Sequence, residues 1–378
     1  MKSNIKNFFT IGFLLTCIIH YSPSLVYADS CQSAKELLKQ AEVSDGEAQK
    51  RLYINATKLC PTLLEAHYNL GVYYFDNKDF DNAIKCFNDA LKIKNYETVF
   101  IALGKAYFEK GDCQKALEYY QDAIMKSPRS VKARQGIALC KWKDGEINAA
   151  ISVLKEALKI DENDYITLFN LGQLEESNKN NIEAKEYYKR SIEKNDMFYK
   201  SYKRLGVLLY NDHNFSEAKT YLQSSVALES KDSESYYILA KIYEQENNEE
   251  KAILNFKRAS EFDANNKSFA FSLATSLLRS NHQESAMSFL LEKEKLLSND
   301  YKYYSLLGVA LMELGKYSEA EENFKKSLKI NPLSSETHNN LGVLYKRLLR
   351  QDEAKKSFEK SLSIDSNNKE ARKNLESL

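Results

Sequence analysis

The chain holds few residues of the kinds that make or break bonds. Five histidines occur in 378 residues. Four of them, His67, His213, His282 and His338, lie far apart in sequence beyond the first sixty positions. A metal site needs several His, Cys, Asp or Glu side chains converging on one point, and nucleophilic catalysis needs a base beside its nucleophile. Neither an HExxH nor a CxxC spacing is present. Gly308 and the Gly315-Lys316 pair have the residue types of a phosphate-cradling loop. Six residues separate the glycines, however, and Tyr317 follows the lysine where that loop needs Ser or Thr. Acidic doublets such as Glu175-Glu176 read as solvated helix faces. Asn55-Ala56-Thr57, Asn214-Phe215-Ser216 and Asn266-Lys267-Ser268 match the N-glycosylation acceptor pattern, which matters only in a host with that machinery. This inventory points to no catalytic residue, no metal, no cofactor and no enzyme. Lys and Arg number 54 against 53 Asp and Glu, a formal charge of +1, so no nucleic-acid partner is expected.

The elements behind these residues are repetitive. Apolar residues make up 43% of the chain and charged residues 28%, with only 12 Gly and 4 Pro. So few breakers suit long helices with short connections and disfavour an all-β fold. Alanine recurs at Ala83, Ala116, Ala150, Ala184, Ala218, Ala252, Ala286, Ala320 and Ala354; the first step is 33 residues and the rest 34. Thirteen residues before each lies Leu70, Leu103, Ile137, Leu171, Leu205, Leu239, Leu273, Leu307 or Leu341, followed every time by Gly or Ala. Four residues after each alanine comes a ring or Leu, from Phe87 and Tyr120 to Phe324 and Phe358. Three further on stands Ala or Ser in every repeat but one, where Lys293 intervenes. Apolar spacings of three, four and seven define one helix face, and two such faces per period are separated by polar breaks such as Asp76-Asn77-Lys78-Asp79. Each period is therefore a helix, a turn and a second helix. The small residue after the leucine column lets the two helices approach. Pro61, Pro128 and Pro332 stand at hairpin ends.

Asn69-Leu70-Gly71-Val72-Tyr73-Tyr74 with Ala83, Phe87 and Ala90, and Leu103-Gly104-Lys105-Ala106-Tyr107 with Ala116, Tyr120, Ala123 and Pro128, resemble the tetratricopeptide repeat (TPR) family. The resemblance runs without a gap over about residues 64–366. It implies an all-α fold, a right-handed superhelical solenoid of antiparallel helical hairpins. Nine repeats are expected, starting near 64, 97, 131, 165, 199, 233, 267, 301 and 335. Lys141, Glu175 and Lys293 depart from the pattern, so the third, fourth and seventh repeats are expected to be loosely packed or locally bent.

Residues 29–63 read as a degenerate first hairpin, with Ala34, Leu37, Leu38 and Ala41 on one face and Leu52, Tyr53, Ala56 and Leu59 on the other. Residues 367–378 read as a capping helix with Ala371, Leu375 and Leu378 on one side. Cys31 at the start of the first helix and Cys60 at the end of the second would be neighbours in an antiparallel hairpin, a candidate disulfide if the protein is exported. For Cys86, Cys113 and Cys140 the preferred reading is buried or idle thiols, with a Cys113–Cys140 pair left open.

Residues 1–28 have the form of a cleavable secretory signal. Lys2 and Lys6 supply the positive start, Phe8 to Ile19 the apolar stretch, Pro23 a helix break, and Val26-Tyr27-Ala28 the site before Asp29. The apolar stretch is short for a membrane span, although an uncleaved anchor is the alternative, and the residues around Cys17 and Cys31 suit lipidation poorly. The mature chain is expected to be exported, periplasmic or secreted, without a membrane span.

The resemblance implies that the first helix of each repeat lines a concave groove that takes extended or helical peptides. With the leucine column as position 7, positions 5, 9 and 12 point inward. They supply Tyr68, Phe75, Phe108, Trp142, Phe169, Tyr210, Tyr237 and Phe271, with Val72, Leu139, Val207, Leu278 and Met312. Aromatic anchors of this kind suit peptide recognition, against the reading that many of the rings pack between helices. The family's carboxylate clamp is absent, since Lys203 is followed by Val207 and Ile238. Its asparagine ladder is broken, with only Asn69, Asn170 and Asn340. The expected function is an exported scaffold that binds a protein or peptide, the alternative a self-assembling structural protein of the cell envelope. Carbohydrate or lipid-head binding by the rings is a weaker third.

Overall fold

The computed structural model describes the chain from Pro23 and its side chains from Asp29 to Leu378. The positive start and apolar stretch of the N-terminal segment, with Cys17, lie outside the described residues. Among the described residues there are 22 helices and no strand. They divide into two compact units, the first ending at Asn178 and the second starting at Lys179.

The first unit contains α1 (Pro23–Glu42), α2 (Gly46–Leu59), α3 (Leu64–Asp76), α4 (Phe80–Ile93) and α5 (Glu97–Lys110). It continues with α6 (Cys113–Lys126), α7 (Val131–Lys143), α8 (Ile147–Ile160) and α9 (Tyr165–Ser177). The second contains α10 (Asn181–Lys194), α11 (Tyr199–Asn211), α12 (Phe215–Leu228), α13 (Ser233–Gln245), α14 (Glu249–Phe262) and α15 (Lys267–Arg279). After these come α16 (Gln283–Glu292), α17 (Glu294–Leu297), α18 (Tyr301–Glu313), α19 (Tyr317–Ile330), α20 (Ser335–Arg347), α21 (Gln351–Ile364) and α22 (Lys369–Glu376). Within each unit consecutive helices pack as hairpins, and each hairpin packs on the next.

The sequence columns become the packing surface. Each alanine of the period is fully buried. A Cβ placed on Gly71, Gly308 or Gly342 would lie 2.5, 2.7 or 2.5 Å from the ring of Phe87, Phe324 or Phe358. No real Cβ sits that close, so these rings occupy the space that glycine vacates. Tyr120 is wedged harder, against Gly104 on its own hairpin and Gly136 on the next. The small residue is Ala138 or Ala274 where the partner is the slimmer Leu154 or Leu290, although Leu222 faces Gly206 and the repeat of Phe256 has Ala240. In the second unit the Ala/Ser column is mostly serine, and each of these serines is buried with a hydrogen bond to the following helix or to its N-cap residue. Ser191 meets Ser201 at 2.8 Å, Ser225 donates to Asp232 at 2.8 Å, and Ser327 meets Thr337 at 3.1 Å. These bonds keep the hydroxyls paired in a place where an unpaired one is costly.

A left-handed residue recurs at one position of the period, with φ between 54° and 93°: Lys78, Gly111, Gly145, His213, Asn247, Asn281, Gly315 and Leu349 in hairpin turns, and Lys179 at the start of the second unit. The next amide closes the turn by donating back into the first helix, as Asp79 N does to Tyr74 O and Lys316 N to Leu311 O, both at 2.9 Å. Glycine holds the position in only three of the nine. Leu349 occupies it at 84% exposure, although a β-carbon there costs about 1–2 kcal/mol.

The irregular repeats have definite causes. Lys141 is half-buried and pairs with Glu146 at 2.9 Å. Glu175 is not on a solvated face: it is buried, and Lys155 Nζ reaches it at 3.8 Å. At Lys293 the second helix of its hairpin breaks into α16 and the four-residue α17. A long cation stands there where the other repeats bury a small side chain.

At the ends, α1 starts earlier than the hairpin read from the sequence, with Pro23 as its first residue, where a missing N–H costs nothing. Cys31 is therefore inside α1 rather than at its start. It is bonded to Cys60, the residue after α2, with the Cα atoms 4.8 Å apart. Ala34, Leu38, Ala41, Tyr53 and Ala56 are buried between the two helices, whereas Leu59 is exposed. At the other end Ala371 is buried and Leu375 packs on the core, but Leu378 lies past the helix and is exposed.

Candidate peptide-binding surface

Helices α3, α5 and α7 touch in succession within the first unit, so residues on their shared inner face form one surface. Tyr68, Val72 and Phe75 from α3 line a cleft of about 270 Å³ with Thr98, Ile101 and Lys105 from α5 and Lys132 from α7. Tyr68 and Phe75 are half-buried. Each leans on a ring of its own hairpin, Tyr68 on Phe87 at 5.7 Å and Phe75 edge-on to Phe80 at 5.6 Å. Half of each ring's work is therefore structural, while its open side faces the cleft. Burial raises the Tyr68 phenol above its ordinary pKa and keeps it neutral. Phe108, also half-buried, carries the Lys143 ammonium over its face at 5.0 Å. Trp142 joins Leu139, Gln135, Asn170 and Gln173 around a smaller recess. Phe169 differs from the others: at 8% exposure its ring is part of the core and offers no face to a ligand.

In the second unit Tyr210 and Tyr237 line a broad cleft of about 920 Å³ with Tyr199, Lys203 and Phe269. Tyr237 stacks on Phe269 at 4.7 Å and tilts against Phe256, while Tyr210 leans on Phe215. Lys203 is occupied by Asp232 at 3.4 Å and Glu234 at 3.3 Å. Burial opposes its charge, but these two carboxylates outweigh burial and raise its pKa. Phe271 lies in a more polar cleft of about 510 Å³ among Lys241, Arg279, Tyr301 and Lys302. Met312 is buried.

The residues with chemical potential serve the scaffold. His67 and His338 bond the carbonyls of Pro61 and Pro332, each at 3.0 Å, at equivalent hairpin ends. Burial lowers the His338 pKa against the effect of that bond. His213 holds a left-handed turn and His282 bonds the Ser280 carbonyl at 2.7 Å. Gly308 underlies Phe324, and Gly315 is a turn residue. Asn214 and Asn266 cap α12 and α15 with their side-chain oxygens. Among the described residues no group of three His, Cys, Asp or Glu is arranged to hold a metal, and no helix is long and apolar enough to cross a membrane.

Family models described as tetratricopeptide repeat match residues 62–124, 107–171, 166–193, 203–267 and 301–367, together well over half of the chain. A model described as anaphase-promoting complex, cyclosome, subunit 3 matches residues 245–327. Among curated proteins, the BBSome complex member BBS4 of Bos taurus is 30% identical over 34% of this chain and 25% of its own length. The peroxisomal targeting signal receptor of Saccharomyces cerevisiae is 29% identical over 25% of this chain and 15% of its own. The chain thus spans a quarter or less of the length of these relatives. Among solved structures, pilF of Pseudomonas aeruginosa superposes with a TM-score of 0.49 at 18% identity, covering 55% of this chain and 94% of that one. The Cut9–Hcn1 hetero-tetramer of the APC/C gives 0.44 at 14% identity, covering 93% and 87%.

Proposed function

We propose that this chain, which belongs to the tetratricopeptide repeat family, is a non-catalytic scaffold that holds a protein or peptide segment on the inner face of its first helices. The observation that carries the proposal is the cleft on α3, α5 and α7, where half-buried rings present an open side next to Lys105 and Lys132. Preordered aromatic anchors lose little entropy on binding. Trp142 is the only tryptophan in the chain, so its emission reports this face alone. Proteins that co-purify with the full chain from its native source would be identified, and peptides from them titrated against it. The expected result is a saturable shift in Trp142 emission. The triple variant Tyr68→Ala, Phe75→Ala, Phe108→Ala should weaken it at least tenfold, about 1.4 kcal/mol or more. Undiminished affinity in that variant at unchanged helix content rules out the face.

The proposal extends to export. A Cys31–Cys60 bridge suits an oxidising compartment, and the charged start, apolar stretch and Ala28 suit a cleavable signal. Cleavage there would remove the first six residues of α1 and leave the bridge intact. N-terminal sequencing of the protein from its native source should begin at Asp29. A chain that keeps Met1 and sediments with membranes would mean an anchor instead.

A further inference from the structure

Among the described residues, three cysteines lie outside the disulfide. Cys86 belongs to the core of the first hairpins, with Tyr53, Leu63 and Leu70. Cys113 and Cys140 are elsewhere and together: both join the cluster formed by Ile101, Tyr120 and Ile137. Cys113 is the first residue of α6 and is half-exposed; Cys140, in α7, is fully buried. α6 and α7 pack on each other, which brings both cysteines into this one cluster. Burial, followed by the charge and hydrogen bond of Cys113, pushes the Cys140 thiol up to about 12.

We propose that Cys113 and Cys140 are a modification site, closing into a second disulfide when the protein meets an exchangeable disulfide such as oxidised glutathione. Access sets the order of events. The Cys113 thiolate attacks one sulfur of the external disulfide, whose S–S bond breaks and releases one glutathione thiolate with the bonding pair. Cys140 then yields its proton to a solvent base, attacks Cys113 Sγ and expels the second glutathione as thiolate. The two protein thiols lose two electrons and two protons, and the external disulfide becomes two thiols. The new bond ties the start of α6 to α7, across the junction of two repeats. Phe108 packs on the same cluster, so closure braces one wall of the proposed binding face.

The full chain would be incubated with oxidised glutathione under native conditions, alkylated, and digested with trypsin without reductant. Cleavage at Lys110, Lys115, Arg134 and Lys141 places the two cysteines in peptides 111–115 and 135–141. The expected product is these two peptides joined, lost on reduction, and equally abundant in Cys86→Ala. In Cys140→Ser, one glutathione should remain on Cys113, unresolved. In Cys113→Ser, a milder change at a half-exposed position, Cys140 should stay unmodified. Alkylation of both cysteines after oxidation, a glutathione retained on Cys113 in the unsubstituted chain, or linkage of either to Cys86 would each overturn the proposal. A glutathione adduct on Cys140 in Cys113→Ser would overturn the order of attack.

Discussion

Replacing Cys31 and Cys60 by serine should destabilise the first hairpin by about 3–4 kcal/mol, the chain-entropy value for a loop of this length. The bridge closes 29 residues of sequence separation. Among the described residues this hairpin packs on later helices only, so its stability there depends more on internal bonds than that of a repeat packed on both sides. The buried set here is small: Ala34, Leu38, Ala41, Tyr53 and Ala56, three of them alanines. The loss should therefore be local. Amide exchange in α1 and α2 should accelerate by two orders of magnitude or more, since each 1.4 kcal/mol is tenfold. Exchange in α5 and beyond should change little. A uniform acceleration along the whole first unit would show that the bridge supports more than its own hairpin.

The second large effect concerns the ring-on-glycine contact. Phe324→Ala should cost about 3–5 kcal/mol, the usual range for emptying a buried phenylalanine site; Phe324 is fully buried. Gly308→Ala is the more informative change. In an open helix it would add about 1 kcal/mol of propensity. Here the new Cβ would meet Phe324 Cε1 at 2.7 Å, and overpacking costs about 1–3 kcal/mol. The net expectation is destabilisation. Combining Gly308→Ala with Phe324→Leu should recover part of the loss, because the chain pairs Ala138 with Leu154 and Ala274 with Leu290, although it also pairs Ala240 with Phe256. Denaturant midpoints for both singles and the double give the coupling energy directly. Strict additivity would mean that residue 308 and the ring do not compete for one space.

The repeating core was legible because its columns are residue types with one use each. An alanine every 33 or 34 positions, a small residue after the leucine column, and a ring or Leu sixteen residues beyond that small residue each mark one packing contact. The turn was less legible. Its left-handed position is glycine at 111, 145 and 315 but Lys, His, Asn or Leu elsewhere, since the following backbone bond enforces the conformation whatever the side chain. Glu175 is buried although a carboxylate doublet reads as a solvated face, because the two members look alike in the sequence and only its place in the repeat pattern marks Glu175 as the inward one. The candidate site was legible as a list of inward positions but not in its depth. Phe169 shares its column with Tyr68 and Tyr237, yet it is buried while they are half-open. That difference depends on the neighbouring helices, which a column does not describe. The Cys113–Cys140 contact likewise depends on how one hairpin settles on the next.

The break at Lys293 has a mechanical meaning. A helix resists stretching because its turns share load through consecutive backbone bonds, and α16 ends after ten residues where its counterparts run for fourteen. Beyond it α17 is a single turn, and the side chain at the junction is a lysine whose amine pairs with Glu292 beside it at 3.1 Å and lies over the Phe289 ring at 5.9 Å. Tension on the second unit, whether from a tethered partner or from its own thermal bending, would concentrate at this joint. Amide exchange is accordingly expected to be faster at residues 293–298 than in α14 and α19, and equal protection there would mean that the break bears load like an unbroken helix.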